Sequence, residues 1–150
     1  FLSILDAGRK ASNFTVLQDN LRFALEVISK EIRTGTDYDC AGGGAPLNCP
    51  YASGGGTSIA FTNVDSEAVV FRLNGGVVEK SRDGGATFFP LTSNEITVTD
   101  LTFYVTGADP GSSDNTQPLV IITVGAVVSE QGQQSESHLQ VTVTERGADI

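Results

Sequence analysis

The sequence has no methionine, no tryptophan and a single histidine. Histidine-rich zinc sites are thereby excluded, and no H-E-x-x-H, G-x-S-x-G or G-x-x-x-x-G-K-S/T segment occurs, so the local signatures of zinc proteases, serine hydrolases and phosphate-binding loops are missing. His138 heads an alternating segment with no Ser or Cys partner that the sequence identifies, and it reads as structural. No catalytic residue and no organic cofactor site is expected. Long apolar runs are also lacking. The longest candidate, Leu119 to Val128, falls short of the roughly 18 residues that a spanning helix needs, and it is β-branched.

Basic residues are scarce: 9 Lys and Arg stand against 18 Asp and Glu, a net charge of −9. Such a balance repels phosphate backbones and anionic lipid surfaces, so nucleic acid is not an expected partner. The missing Met leads to the expectation of a processed or excised fragment. No basic leader with an apolar segment and cleavage site is present, so any export signal is expected to have been removed or to lie upstream of Phe1.

What is present is glycine, 17 residues of it, together with many Thr, Ser and Val, a β-rich and loop-rich composition. A chain of 150 residues fits one domain with one core. Cys40 and Cys49 are the only cysteines, separated by the flexible A-G-G-G-A-P-L-N. Their spacing allows a disulfide, which would persist outside the reducing cytoplasm; two unpaired thiols are the alternative, since two ligands alone cannot complete a zinc site.

From Phe14 to Ile32 the apolar residues Phe14, Leu17, Leu21, Ala24, Leu25, Ile28 and Ile32 recur at three and four, the stripe of an amphipathic helix. Arg22, Glu26 and Lys30 follow at i, i+4 on the other side, Lys30 and Arg33 suit the negative helix end, and Gly35 can cap it. Val16, Phe23 and Val27 fall off the main stripe and form a second, smaller apolar strip. Upstream, Phe1, Leu2, Ile4 and Leu5 continue the apolar pattern, although Gly8, Ser12 and Asn13 weaken the join. Phe1, Leu2, Leu5, Val16, Phe23 and Val27 are accordingly the candidate subunit-contact residues. A loop folded back over the strip, such as Thr34 to Gly56, is the competing reading.

Thr34 to Gly56 reads as a long connection that the disulfide pins. After Gly56 the rhythm changes to period two, with strands expected at Ser58–Thr62, Glu67–Leu73, Val77–Arg82, Ala86–Leu91, Glu95–Val105, Leu119–Val128 and His138–Glu145. Asn74-Gly75-Gly76 and Asp83-Gly84-Gly85 are tight-turn signals, while Ala108–Gln117 and Ser129–Ser137 read as exposed hairpin loops. A helix followed only by strands defines an α+β fold, the helix packed on an antiparallel sheet. The chain divides into a helix over residues 1–35, a Gly-rich disulfide loop over 36–57 and an antiparallel β region over 58–150. Asp109, Asp114 and Asn115 offer oxygen ligands for calcium without EF-hand spacing, so solvated turn residues are the plainer account. Asp37 and Asp39 carry less weight still. Asn13-Phe14-Thr15 matches a glycosylation sequon but lies inside the helix, where chance explains it better.

The segment L-Q-D-N-L-R-F-A-L-E-V-I-S-K-E-I-R-T-G, Leu17 to Gly35, resembles the post-membrane helix of minor pilins and of J-type minor pseudopilins of type II secretion systems. V-V-F-R-L-N-G-G-V-V-E-K-S-R-D-G-G from Val69 and I-T-V-T-D-L-T-F-Y-V-T-G from Ile96 resemble the hairpins and closing strands of the same group. The resemblance implies a prepilin whose long N-terminal helix anchors it in the inner membrane and then packs with other pilin or pseudopilin subunits. The product would be an extracytoplasmic type IV pilus or a type II secretion pseudopilus, at the cell surface or in the periplasm. The family's apolar N-terminal helix, processing site and acidic fifth residue are not found here; Leu5 and Asp6 follow where they would stand, which makes Phe1 an expected truncation point. An exported adhesin or carbohydrate-binding β-rich module is the alternative reading, with Cys40 to Gly56 and Asp109 to Asn115 as its binding loops. Pilus or pseudopilus, tip or shaft, and the cargo or adhesion target are left open by the sequence.

Overall fold

The computed structural model describes residues 2–40, 47–108, 117–130 and 132–145, with helix side chains described from Asn13 onward. Helix α1, Leu2–Arg33, spans 32 residues without interruption, about 48 Å at ~1.5 Å per residue. The join at Gly8 to Asn13 therefore does not break. One glycine costs a helix only about 1 kcal/mol, and Ser and Asn act as N-caps only where a helix begins, whereas residues 12 and 13 lie inside this one.

Two sheets follow, both antiparallel. The first is a meander in the order β1 (Thr36–Asp39), β2 (Ser58–Thr62), β3 (Ala68–Asn74), β4 (Val77–Ser81) and β5 (Phe89–Pro90). The second is β6 (Thr97–Thr106), β7 (Leu119–Glu130) and β8 (Gln133–Thr144), also in chain order. The Asn74-Gly75-Gly76 signal marks the β3–β4 hairpin: Asn74 pairs with Val77, and Gly75 and Gly76 take φ of 58° and 81°, the left-handed values a two-residue turn demands.

Several expectations are corrected. Residues assigned to a plain loop contain β1, which pairs with β2 through an irregular register. The strand expected over Ala86–Leu91 shrinks to Phe89–Pro90, because Asp83 instead organises a turn: its carboxylate accepts from the Ser81 hydroxyl at 2.7 Å and from the Thr87 backbone N–H at 2.8 Å, and it also accepts from the Thr87 hydroxyl. These bonds, that of the Thr87 hydroxyl foremost, hold the Asp83 carboxyl well below the usual carboxylate range. The polar stretch Ser129–Ser137 is not a loop. Ser129 pairs with Gln134 and Glu130 with Gln133, so the hairpin closes between those two residues, and Gly132 has φ 79°.

The helix lies across β7 and β8 and contributes Leu17, Leu21, Leu25, Ile28 and Ile32 to a core shared with both sheets. Val120, Ile122, Val124 and Val128 of β7, Leu101, Phe103 and Val105 of β6, and Ile59, Phe61, Val69 and Phe71 of the meander belong to the same core. Each fully buried Leu, Ile or Phe stabilises by about 1.5–3 kcal/mol relative to exposure. At the helix end, the buried Tyr38 hydroxyl reaches the carbonyls of Ile32 and Gly35, the latter at 2.7 Å, and the Ile32 carbonyl also accepts from the Gly35 N–H at 3.1 Å. Burial, and next the Glu145 carboxylate, push the Tyr38 phenol above its ordinary range, so it stays a neutral donor. Gly35 is fitted tightly here: a Cβ would stand 2.5 Å from the Phe61 ring.

The sheets are also joined through the disulfide segment. Cys49 and Val105 exchange backbone hydrogen bonds of 2.9 and 3.0 Å, and Gly56 and Phe103 exchange two of 2.8 Å. Gly76 accepts from the Val98 N–H at 2.9 Å. One edge of β6 is thereby covered.

Candidate assembly surface

Helical spacing puts residues 16, 20, 23 and 27 on one face, turned away from the Leu17, Leu21 and Ile28 row. The members of that face differ in exposure. Phe23 is 54% exposed, whereas Val16 and Val27 are partly buried against the core. Val27 lies in a cleft of about 330 Å³ with Lys30, Asn63, Val64 and Arg82. Val16 lies in another of about 510 Å³ with Asn13, Asn94, Glu95 and Val128. The walls of these clefts therefore come from the β2–β3 turn, the end of β4, the segment before β6 and the end of β7, and of the Thr34 to Gly56 segment only Thr34, at the rim of the Val27 cleft, is among the residues that line them. Val64, at the tip of the β2–β3 turn, is 69% exposed and adds a second outward apolar residue that periodicity gave no reason to single out. Phe1 lies outside the described residues; Leu2 and Leu5 continue the helix backbone, and their side chains are not described.

Asn20, on the same face, is a tether. Its Oδ1 accepts from the Ser93 N–H at 2.9 Å and its Nδ2 donates to the Val16 carbonyl at 3.0 Å, binding the helix to the segment before β6. Lys80 of β4 is a second tether that alternation alone did not reveal: its ammonium is buried, meets Glu31 Oε1 at 2.8 Å and stands 5.8 Å from the Phe71 ring centroid. The outer helix face is left with Asp19, Arg22, Glu26, Lys30 and Arg33, all exposed.

Cys40 and Cys49 form a disulfide with Cα atoms 6.3 Å apart. Gly56 passes so close beneath it that a Cβ would lie 2.5 Å from the Cys40 carbonyl oxygen. Beyond the bridge, Tyr51 is 81% exposed and packs on Tyr104 of β6 at 5.3 Å between ring centroids. The calcium candidates Asp109, Asp114 and Asn115 lie outside the described residues. Among the described residues no cluster of three or more His, Cys, Asp or Glu could hold a metal ion.

His138 is exposed on the face of β8 turned from the helix, with Nε2 2.7 Å from Glu136 Oε1 and Nδ1 3.9 Å from Asp100 Oδ1. Its partners are carboxylates. Ser137 points the other way and accepts from Gln18 Nε2 at 2.6 Å, so it is not the hydroxyl partner of this histidine. Asn13 of the sequon is only 4% exposed, and a buried amide is not a glycan acceptor.

No family model matches the chain, and neither a curated protein nor a solved structure does. Among the described residues no helix is long and apolar enough to cross a membrane.

Proposed function

We propose that the chain is a structural, non-catalytic subunit of an extracytoplasmic filament of the type IV pilin kind, a minor pilin or a type II secretion pseudopilin. The observation that carries this reading is one long N-terminal helix whose inward stripe lies on an antiparallel sheet while Phe23 faces outward. The Cys40–Cys49 disulfide supports a location beyond the reducing cytoplasm, on the cell surface or in the periplasm. In this reading other pilin or pseudopilin subunits contact the helix through Phe23 and the residues N-terminal to it, Phe1, Leu2 and Leu5. Val16 and Val27 support that surface from within their clefts, and membrane anchoring before assembly falls to a segment upstream of Phe1.

The test separates assembly from folding. In the full-length protein, Phe23→Asp is expected to leave monomer stability within about 0.5 kcal/mol, as for other surface changes, and to abolish incorporation into filaments. Val27→Asp is expected to cost the monomer about 1–3 kcal/mol as well, because its side chain is partly buried. Normal incorporation of Phe23→Asp would overturn the interface.

A second reading, an adhesin or carbohydrate-binding module, is favoured by one feature, the exposed Tyr51 ring beside Tyr104 next to the disulfide. Flat aromatic faces of this kind present apolar area at small entropic cost. Under that reading Tyr51→Ala removes glycan-array binding without changing the melting temperature; an array that shows no binding by the unaltered protein counts against it.

A further inference from the structure

The domain protects most of its strand edges. β1 has four residues and an irregular register, β5 has two and includes Pro90, and the far edge of β6 is covered by Cys49 and Gly56. These are the usual means of preventing an edge from pairing with another chain. β8 has none of them. It runs 12 residues, pairs with β7 from Gln133 to Thr144 without a bulge, and contains no Pro, Lys or Arg. Its other edge carries no backbone hydrogen bond among the described residues. From Leu139 to Thr144, L-Q-V-T-V-T, it carries no charge.

The same edge borders a groove. Leu139 and Val141 are only partly buried although they face the helix, and with Leu25 they floor an opening of about 400 Å³ whose rim includes Arg22, Glu26, Ser29 and Gln140. A row of outward N–H and C=O groups matches one ligand geometry, another extended backbone, and the groove beside it takes that backbone's side chains at every second position.

We propose that β8 is a strand-addition site for an extended segment of a different polypeptide, with small apolar residues at alternate positions and basic residues at its ends. Charge selects this occupant over a second copy of the chain. Each copy carries −9, the exposed Glu136 precedes the uncharged run, and no Lys or Arg lies from there to Thr144; Glu145, which follows the run, is buried and adds only to the overall negative charge. The site is independent of the filament reading, since the edge and groove lie apart from the Phe23 strip.

The probe is an acetylated, amidated peptide, Lys-Val-Thr-Val-Thr-Val-Thr-Lys, titrated at low salt into the isotopically labelled domain. Shift changes and slowed amide exchange are expected from Leu139 to Thr144, with saturation in the tens to hundreds of micromolar. A version N-methylated at every Val and Thr keeps the side chains but removes the donors, and is expected to bind at least about tenfold more weakly. A Glu-flanked version should lose several-fold, and Val141→Lys in the domain should weaken the parent peptide about tenfold. Absence of binding at millimolar peptide, equal binding of the N-methylated version, or shifts confined to another surface would each overturn the proposal. Concentration-dependent dimerisation that protects β8 without peptide would assign the edge to a second copy and overturn the choice of partner.

Discussion

Glu31→Ala is expected to destabilise the domain by about 3 kcal/mol, read as a lower urea midpoint with an unchanged slope. The partner it abandons is the reason. The Lys80 side chain is 4% exposed and its ammonium meets Glu31 at 2.8 Å, so truncating Glu31 leaves a buried cation with no counter-charge. Breaking a buried pair from one side costs about 3–5 kcal/mol, and the lower end applies because the Glu31 side chain is 23% exposed and water can enter in its place. Lys80→Met should cost less, about 1 kcal/mol, since the carboxylate it leaves is the more hydrated partner. The paired change Lys80→Met with Glu31→Leu should approach the stability of the unaltered chain. Arg72 and Glu79, 2.9 Å apart but with the Arg72 side chain 40% exposed, provide the contrast: loss of that pair should cost no more than about 1 kcal/mol. Equal effects at the two pairs would show that burial does not set the difference.

Reduction of Cys40–Cys49 is expected to lower stability by about 2–3 kcal/mol and the melting temperature by about 5–10 °C, measured by calorimetry with and without reductant. The bridge closes a loop with a sequence separation of 9, and constraint of that loop in the unfolded chain accounts for the effect on the entropy model. There is a local consequence too. The chain on the Cys49 side supplies the backbone bonds to Val105 and Phe103, so amide exchange at those β6 positions should rise before exchange in β7 does. Two free thiols in non-reduced protein, seen by intact mass, would remove both this expectation and the export argument.

The apolar pattern made the layers legible. Three-and-four spacing from Phe14 to Ile32 reports the buried helical face from Leu17 onward, while Phe14, expected in the same stripe, is 48% exposed; alternation reports β2 to its ends, because in both cases burial itself sets the period. The Gly75-Gly76 turn was legible because positive φ leaves glycine with little competition. Legibility failed where polar residues form regular structure. Ser129 to Ser137 pair as a hairpin because the backbone ladder does not require apolar side chains once Val124 to Val128 have fixed the register. β5 was overestimated for the opposite reason: the aromatic run T-F-F resembles a strand, yet Asp83 and Ser81 satisfy that backbone locally. The candidate contact strip was half legible. Helical geometry finds residues 16, 23 and 27, but which of them is covered depends on the turns at Asn63 and Asn94, and those approach only in three dimensions. The bare edge of β8 left no trace in periodicity, since pairing partners are a property of topology.

The two side-chain bonds at the helix end, Glu31 to Lys80 and the Ile32 carbonyl to Tyr38, also fix how the domain would respond to tension. A pull along α1 from its N-terminal side reaches the sheet through the interlocked row from Leu17 to Ile32, and beyond it through Glu31 to Lys80 and the Ile32 carbonyl to Tyr38. These contacts are loaded in parallel and slide together, unlike a strand peeled from an edge, which yields one rung at a time. Resistance to forced unfolding follows the height of the unfolding barrier and not equilibrium stability. The helix should therefore hold its sheet under axial load better than its modest length of buried contact would indicate.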